Sequence, residues 1–186
     1  LQEAATMARN IDGLFIELGT REGGSLQYIM DGIMDGDTEE GRTWNVVSVD
    51  PYGHIPYRYM DKEHRFNYTN DMKKRAMQNI YGYAIDKPIN IITFPVTDEV
   101  FFEWCKDGVP VYDWNKGIKN EYAFVFLDAE HTVYVVLWEL DWFLPKMLDG
   151  GVIVIDDMDF YSPEQIDLFV ERCASFGMIE HWRGAK

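Results

Sequence analysis

The sequence predicts an α/β fold, a three-layer sandwich around a mostly parallel sheet of six or seven strands. Three observations lead there. Short apolar runs ending in Gly or Asp alternate with segments of helical period, and strands alternating with helices imply parallel pairing through right-handed crossovers. Two of the runs, Ala123–Leu127 and Val152–Ile155, are apolar throughout, as strands covered on both faces are. The 186 residues, 47% hydrophobic and 26% charged, match one domain, 1–186, with a sizeable core.

The elements follow in order. Leu14-Phe15-Ile16 reads as the first strand, and Leu26, Ile29, Met30, Ile33 and Met34 form one face of an amphipathic helix. Residues 35–42 are a polar, glycine-bearing loop before a second strand, Val46–Val49, stopped by Asp50-Pro51. Between Tyr52 and Asn70 the period is lost: tyrosines and Phe66 lie among charges, as in a lid, a binding loop or an irregular packed connection. Met72, Ala76, Ile80 and Tyr83 mark a helix and Ile89–Phe94 a third strand. A short helix over 101–105 and a turn-rich connection, 106–120, lead to the fourth strand, Ala123–Leu127. A helix through Val133–Leu144, a fifth strand at Val152–Ile155, a helix opened by Pro163 and a sixth strand at Met178–Trp182 complete a Rossmann-like arrangement.

Composition narrows the partners. Seventeen Lys+Arg against 32 Asp+Glu leave a formal net charge of −15, which repels phosphate backbones and anionic membranes. Nucleic acid and membrane are therefore not expected partners, and the cluster Lys73-Lys74-Arg75 reads as an exposed helix face. Two cysteines make no disulfide framework. With no signal-peptide pattern and no membrane-length apolar run, a cytoplasmic location is expected, although Leu1 in place of an initiator Met leaves the start of the natural chain open.

Ligands of such sheets bind at the carboxyl ends of the strands. After the first strand comes Glu17-Leu18-Gly19-Thr20-Arg21-Glu22-Gly23-Gly24-Ser25. A P-loop needs Lys where Ser25 stands. A dinucleotide loop needs its first two glycines one residue apart, and Glu17 and Glu22 would face the pyrophosphate. The third option is an acid, one spacer, Gly, three spacers and Gly. This string resembles the first motif of class I S-adenosylmethionine-dependent methyltransferases. That resemblance implies a cofactor cradle of Glu17, Gly19, Thr20, Gly23 and Ser25. Asp50 ends the second strand, where an acid commonly accepts from two ribose hydroxyls; it lies farther along than the usual spacing of about 20 residues, and loop 35–42 covers the excess. Asp98 resembles the position that meets the adenine amino group, although Thr97-Asp98 could simply cap a helix.

The stretch Phe124-Val125-Phe126-Leu127-Asp128-Ala129-Glu130-His131-Thr132-Val133-Tyr134, with Leu148-Asp149-Gly150-Gly151-Val152-Ile153-Val154-Ile155-Asp156-Asp157, resembles a subgroup of small-molecule O-methyltransferases that includes macrolide-sugar enzymes. Ala129 and Glu130 depart from that pattern, which has Gly and Asp there. Adjacent parallel strands put Asp128, Asp156 and Asp157 at one sheet edge, where three carboxylates repel unless protons or a cation intervene. Oxygen ligands suit Mg²⁺, with Ca²⁺ or Mn²⁺ as alternatives; otherwise Asp156 or Asp157 caps the next segment and Asp128 meets the methionine ammonium. His131, one helical turn beyond Asp128, occupies by resemblance the place of the catalytic base, with Asp128 beside it.

Methyl transfer from S-adenosylmethionine to a hydroxyl of a small molecule is thus the expectation. A nicotinamide-dependent oxidoreductase, a non-catalytic binding module and a metal-free enzyme acting on nitrogen are its rivals. Sheets of the resembled family close with a seventh, antiparallel strand, for which the chain shows no obvious segment. Truncation, a tail, or a strand supplied by a second copy in a homodimer would each account for that.

Overall fold

A computed structural model describes residues 1–36, 41–59, 62–112 and 117–181, with only the backbone of 54–59 and 62–68. In chain order the elements are α1 (Gln2–Ala8), β1 (Leu14–Leu18), α2 (Gly24–Met34), β2 (Trp44–Val49), β3 (Gly53–Tyr59), β4 (Lys62–Tyr68), α3 (Asn70–Ala84) and β5 (Ile89–Phe94). Then come α4 (Asp98–Trp104), β6 (Val109–Val111), β7 (Gly117–Lys119), β8 (Tyr122–Leu127), α5 (Val133–Phe143), β9 (Met147–Ile155) and α6 (Pro163–Ala174).

Five strands make one parallel sheet in the order β5-β2-β1-β8-β9, so the predicted mostly parallel α/β sandwich forms. Alternation along each strand splits the core. From β1, Leu14, Ile16 and Leu18 join Phe101, Val136, Leu140, Phe143 and Phe169 of α4, α5 and α6 on one face. Phe15 points to the other, with Ala5, Leu26, Ile29, Ala76 and Ile80 of α1, α2 and α3. The all-apolar reading of β8 is explained by its place inside the sheet, where every residue is buried. No helix of the described residues is long and apolar enough to cross a membrane.

Five sequence expectations need correction. The sheet has five strands among the described residues, not six or seven. Residues 178–181 are not a strand, because they finish α6: Gly177 takes a left-handed φ of +83° and Met178 N donates to Cys173 O at 3.2 Å, a helix stop of the Schellman kind; Trp182 lies outside the described residues. The aperiodic stretch after Tyr52 is an antiparallel hairpin, β3 with β4. A second small hairpin, β6 with β7, forms within the predicted connection 106–120. Finally β9 begins at Met147 rather than Val152. Met147 opposes Tyr122 and Val152 opposes Phe124, so Leu148–Gly151 bulges out and only Val152–Ile155 keeps the regular register.

Candidate active site

The five parallel strands end along one edge, and the turns leaving β1, β2, β8 and β9 meet there. Glu17, on β1, is fully buried, and neither carboxylate oxygen finds a hydrogen-bond partner among the described residues. Burial, helped by repulsion from Asp128 and Asp50, pushes its pKa up to about 8. The hydroxyls of Ser25 and Thr20 approach and favour the charged form; Thr20 Oγ1 itself accepts from Ser48 Oγ at 2.8 Å. The turn places Glu17, Thr20 and Ser25 together, as the motif implied.

Its glycines have separate reasons. Gly19 is left-handed, and a Cβ there would stand 2.0 Å from the carbonyl oxygen of Asp128. Gly23, at φ +81°, would meet Ile80 of α3. These two let the turn pack on the protein itself. Gly24 opens onto empty space, which leaves the α2 N-terminus free for close backbone approach. Glu22, the other acid of the turn, pairs with Arg75 at 2.7 Å.

Asp50 is 2% exposed. Its Oδ2 accepts from the backbone N–H of Arg21 at 2.6 Å and its Oδ1 from that of Tyr52 at 3.1 Å. Tyr52 Oη in turn donates to Arg21 O at 2.8 Å. Arg21 and Tyr52 both sit at positive φ, strain of a kind that concentrates at functional sites. Asp50 is therefore wrapped by its own turn; burial raises its pKa although the two N–H groups oppose this.

At the ends of β8 and β9 the predicted acids meet. His131 Nε2 lies 3.5 Å from Asp157 Oδ2 and 4.0 Å from Asp128 Oδ1. Asp128, His131 and Asp157 each present a ligand atom, all within 4.8 Å of one another. Asp157 reaches in from a left-handed backbone, φ +50°. Asp156 is the odd member of the predicted set: its carboxylate lies near enough to raise the pKa of Asp128, while His131 takes its place in the triad. Burial and both neighbouring acids push Asp128 up to about 7, with Arg21 pulling the other way. The Phe160 ring, on the turn after Asp157, stands 5.7 Å from that of His131 and is 54% exposed.

Asp98 is half-buried in the first turn of α4, where Thr97, not Asp98, caps the helix by accepting from Val100 N. Three features of the structure escaped the sequence reading. The Arg21–Tyr52 wrap depends on backbone angles that no residue type announces. The nearness of His131 to both Asp128 and Asp157 was legible only as its closeness to Asp128. The third, Glu139 on α5, is 1% exposed; an acid between Val136, Leu140 and Phe143 on the apolar stripe was the available signal.

Residues 16–158 match the family described as Methyltransferase domain. No curated protein matches the chain significantly. Among solved structures, SAH-bound methyltransferase PaMTH1 of Podospora anserina is similar at a TM-score of 0.45 and 12% identity, over 94% of this chain. The chain spans 64% of that protein's length.

Proposed function

The chain belongs to the methyltransferase-domain family, and we propose from that premise that it transfers the methyl group of S-adenosylmethionine to a hydroxyl of a small molecule, with a divalent cation, Mg²⁺ first, assisting. One observation carries the reading: a sealed, unpartnered carboxylate, Glu17, lies under a glycine turn at the same edge as a histidine–carboxylate triad. An orphan acid suits an ammonium and a sulfonium; against a pyrophosphate it would repel, which disfavours a nicotinamide enzyme.

Glu17 and Ser25, with Thr20 and the backbone of Gly19 and Gly23, would hold the methionine end, Asp50 the ribose and Asp98 the adenine amino group. Asp128 and Asp157 offer the hard oxygens that Mg²⁺ prefers, and Asp156 buttresses Asp128. When bound, S-adenosylmethionine supplies an electrophilic methyl group and the cation supplies Lewis acidity to the acceptor hydroxyl. His131 accepts the hydroxyl proton at Nε2, and Asp157 and Asp128 beside it stabilise the imidazolium so formed. Phe160 gives the acceptor an apolar face. Alignment and fixed charge, with no covalent enzyme intermediate, then account for the rate.

The position of His131 Nε2 between two carboxylates also favours a second reading, in which the imidazole is a third cation ligand and not the base.

The test is binding followed by turnover. S-adenosylhomocysteine at a hundredfold excess over its Kd should stabilise the protein by about 2.7 kcal/mol, NAD should not, and EDTA should suppress methyl transfer to hydroxylated acceptors. A thermal shift with NAD and none with S-adenosylhomocysteine would overturn the reading. Asp50 gives a narrower expectation. Tyr52→Phe removes the hydroxyl that ties the wrap shut, so S-adenosylhomocysteine should bind tighter, by about threefold to tenfold for one net hydrogen bond. Weaker binding in calorimetry would mean that the hydroxyl serves the ligand itself.

A further inference from the structure

Asp50 cannot meet a ribose as it stands. It is 2% exposed, and both carboxylate oxygens already accept backbone N–H groups, Oδ2 from Arg21 at 2.6 Å and Oδ1 from Tyr52 at 3.1 Å. Each oxygen keeps spare lone pairs, but a ligand reaches them only if part of this cover moves. The cover has two sides, tied together where Tyr52 Oη donates to Arg21 O at 2.8 Å, and their surroundings differ.

The Arg21 side is pinned. Next to it, the Glu22 carboxylate accepts from Arg75 at 2.7 Å and the Glu22 carbonyl from Asn79 Nδ2 at 2.9 Å, both on α3. Gly23 N donates to Thr20 O at 2.8 Å, and its backbone lies so close to Ile80 that a Cβ would stand 2.6 Å from that side chain. The Tyr52 side is open. Gly53 follows at φ +112°, a conformation that glycine adopts readily and other residues do not, with nothing within 4 Å of where a Cβ would stand. Beyond it, β3 and β4 pack closely only on each other among the described elements. Tyr52 itself is held at φ +43°, strain that opening would relax.

We propose that Tyr52 is a latch and Gly53 its hinge: the pair closes over Asp50 in the free protein and swings away to admit the cofactor's ribose, while the β1 turn stays fixed on α3. This rests on the reading that Asp50 holds the ribose. The protein then takes up cofactor through an open minority state, and its apparent affinity is reduced by the fraction of molecules that are open. The latch bonds exist only before binding. Loosening them therefore speeds association and leaves dissociation alone, whereas differences in affinity ordinarily sit in dissociation.

The experiment follows the kinetics of S-adenosylhomocysteine binding to the immobilised protein by surface plasmon resonance. Tyr52→Phe removes the tie to Arg21 O, and Gly53→Ala penalises the closed backbone without a clash. Each should raise kon by about threefold to tenfold, with koff within about twofold of the parent, the worth of one net hydrogen bond or of one residue forced into the left-handed region. Asn79→Ala loosens the pinned side and should not raise kon. A rise with Asn79→Ala would mean that the turn yields as well, and overturns the proposal. Either latch variant with kon at the parent's value, or with an affinity changed through koff, does the same: the cofactor reading would stand and the latch would fall. A parent protein that binds no S-adenosylhomocysteine refutes the Asp50 reading instead, and the proposal with it.

Discussion

Glu17→Gln is expected to stabilise the ligand-free protein at pH 8 and, at the same pH, to cost it most of its affinity for S-adenosylhomocysteine. The sign follows from the raised pKa. Below about 4.5, the ordinary glutamate value, folded and unfolded chains both hold the proton and Glu17 contributes nothing. As pH rises above that, the unfolded chain releases its proton while the folded one keeps it up to about 8. Stability is therefore lost across the window from about 4.5 to 8 and the loss is complete above it. At about 1.4 kcal/mol per pKa unit, the penalty is on the order of a few kcal/mol. The amide has no proton to lose, so denaturant titrations at pH 5 and pH 8 should differ less in the variant than in the parent. Binding moves the other way. A ligand ammonium favours the ionised acid, so the parent should release a proton on binding near pH 7, measurable by calorimetry in buffers of different ionisation enthalpy. Glu17→Gln should show neither the release nor the affinity. A variant that is less stable at pH 8, or that binds as before, would make Glu17 a structural acid and remove the main support for the proposed donor.

How far such a site can be read from residues alone depends on what its members need. Strand ends are legible: apolar runs that stop at Asp50, Asp128 and Asp156 lie together because parallel strands must finish at the same edge. Glu17 was legible for the same reason, as an acid inside an apolar run. What depends on backbone angles was not. The wrap of Asp50 needs Arg21 and Tyr52 at positive φ, a conformation that Gly would have announced and these residues do not. The hairpin β3–β4 carries no clean alternation, since Pro56, His64 and the charges interrupt both faces, so period could not separate a hairpin from a loop. The expected last strand failed for a nonlocal reason: Gly177 turns the chain back onto α6, and residues that look like a strand serve as a helix stop. The exchange of Asp156 for His131 in the triad is of the same kind. Successive residues after a strand point apart, and which of Asp156 and Asp157 faces inward was settled by the left-handed backbone at Asp157.

Asp128→Asn should be the most damaging single change to turnover. Asp128 is where the proposed cation site, His131 and the β1 turn meet: its Oδ1 is 4.0 Å from His131 Nε2, its carbonyl oxygen abuts Gly19 and the Asp156 carboxylate opposes its charge. The amide keeps the shape but loses the charge that binds a cation and steadies an imidazolium. A loss on the order of 10³-fold in kcat is expected, the size seen when a fixed electrostatic stabiliser is removed. Folding should survive, because the substitution relieves crowding with Asp156 and Asp157. His131→Ala should cost about 10² to 10⁴-fold in kcat if the imidazole is the base, with S-adenosylhomocysteine affinity unchanged. Mn²⁺ binding, followed by its electron spin resonance signal, separates the two readings of His131. Asp128→Asn should weaken it under either reading. His131→Ala leaves it intact if His131 only moves a proton, and weakens it if the imidazole is a ligand. A parent protein that binds no Mn²⁺ and methylates its acceptor in EDTA would remove the cation from the mechanism and leave His131, held by Asp157 and Asp128, as the base.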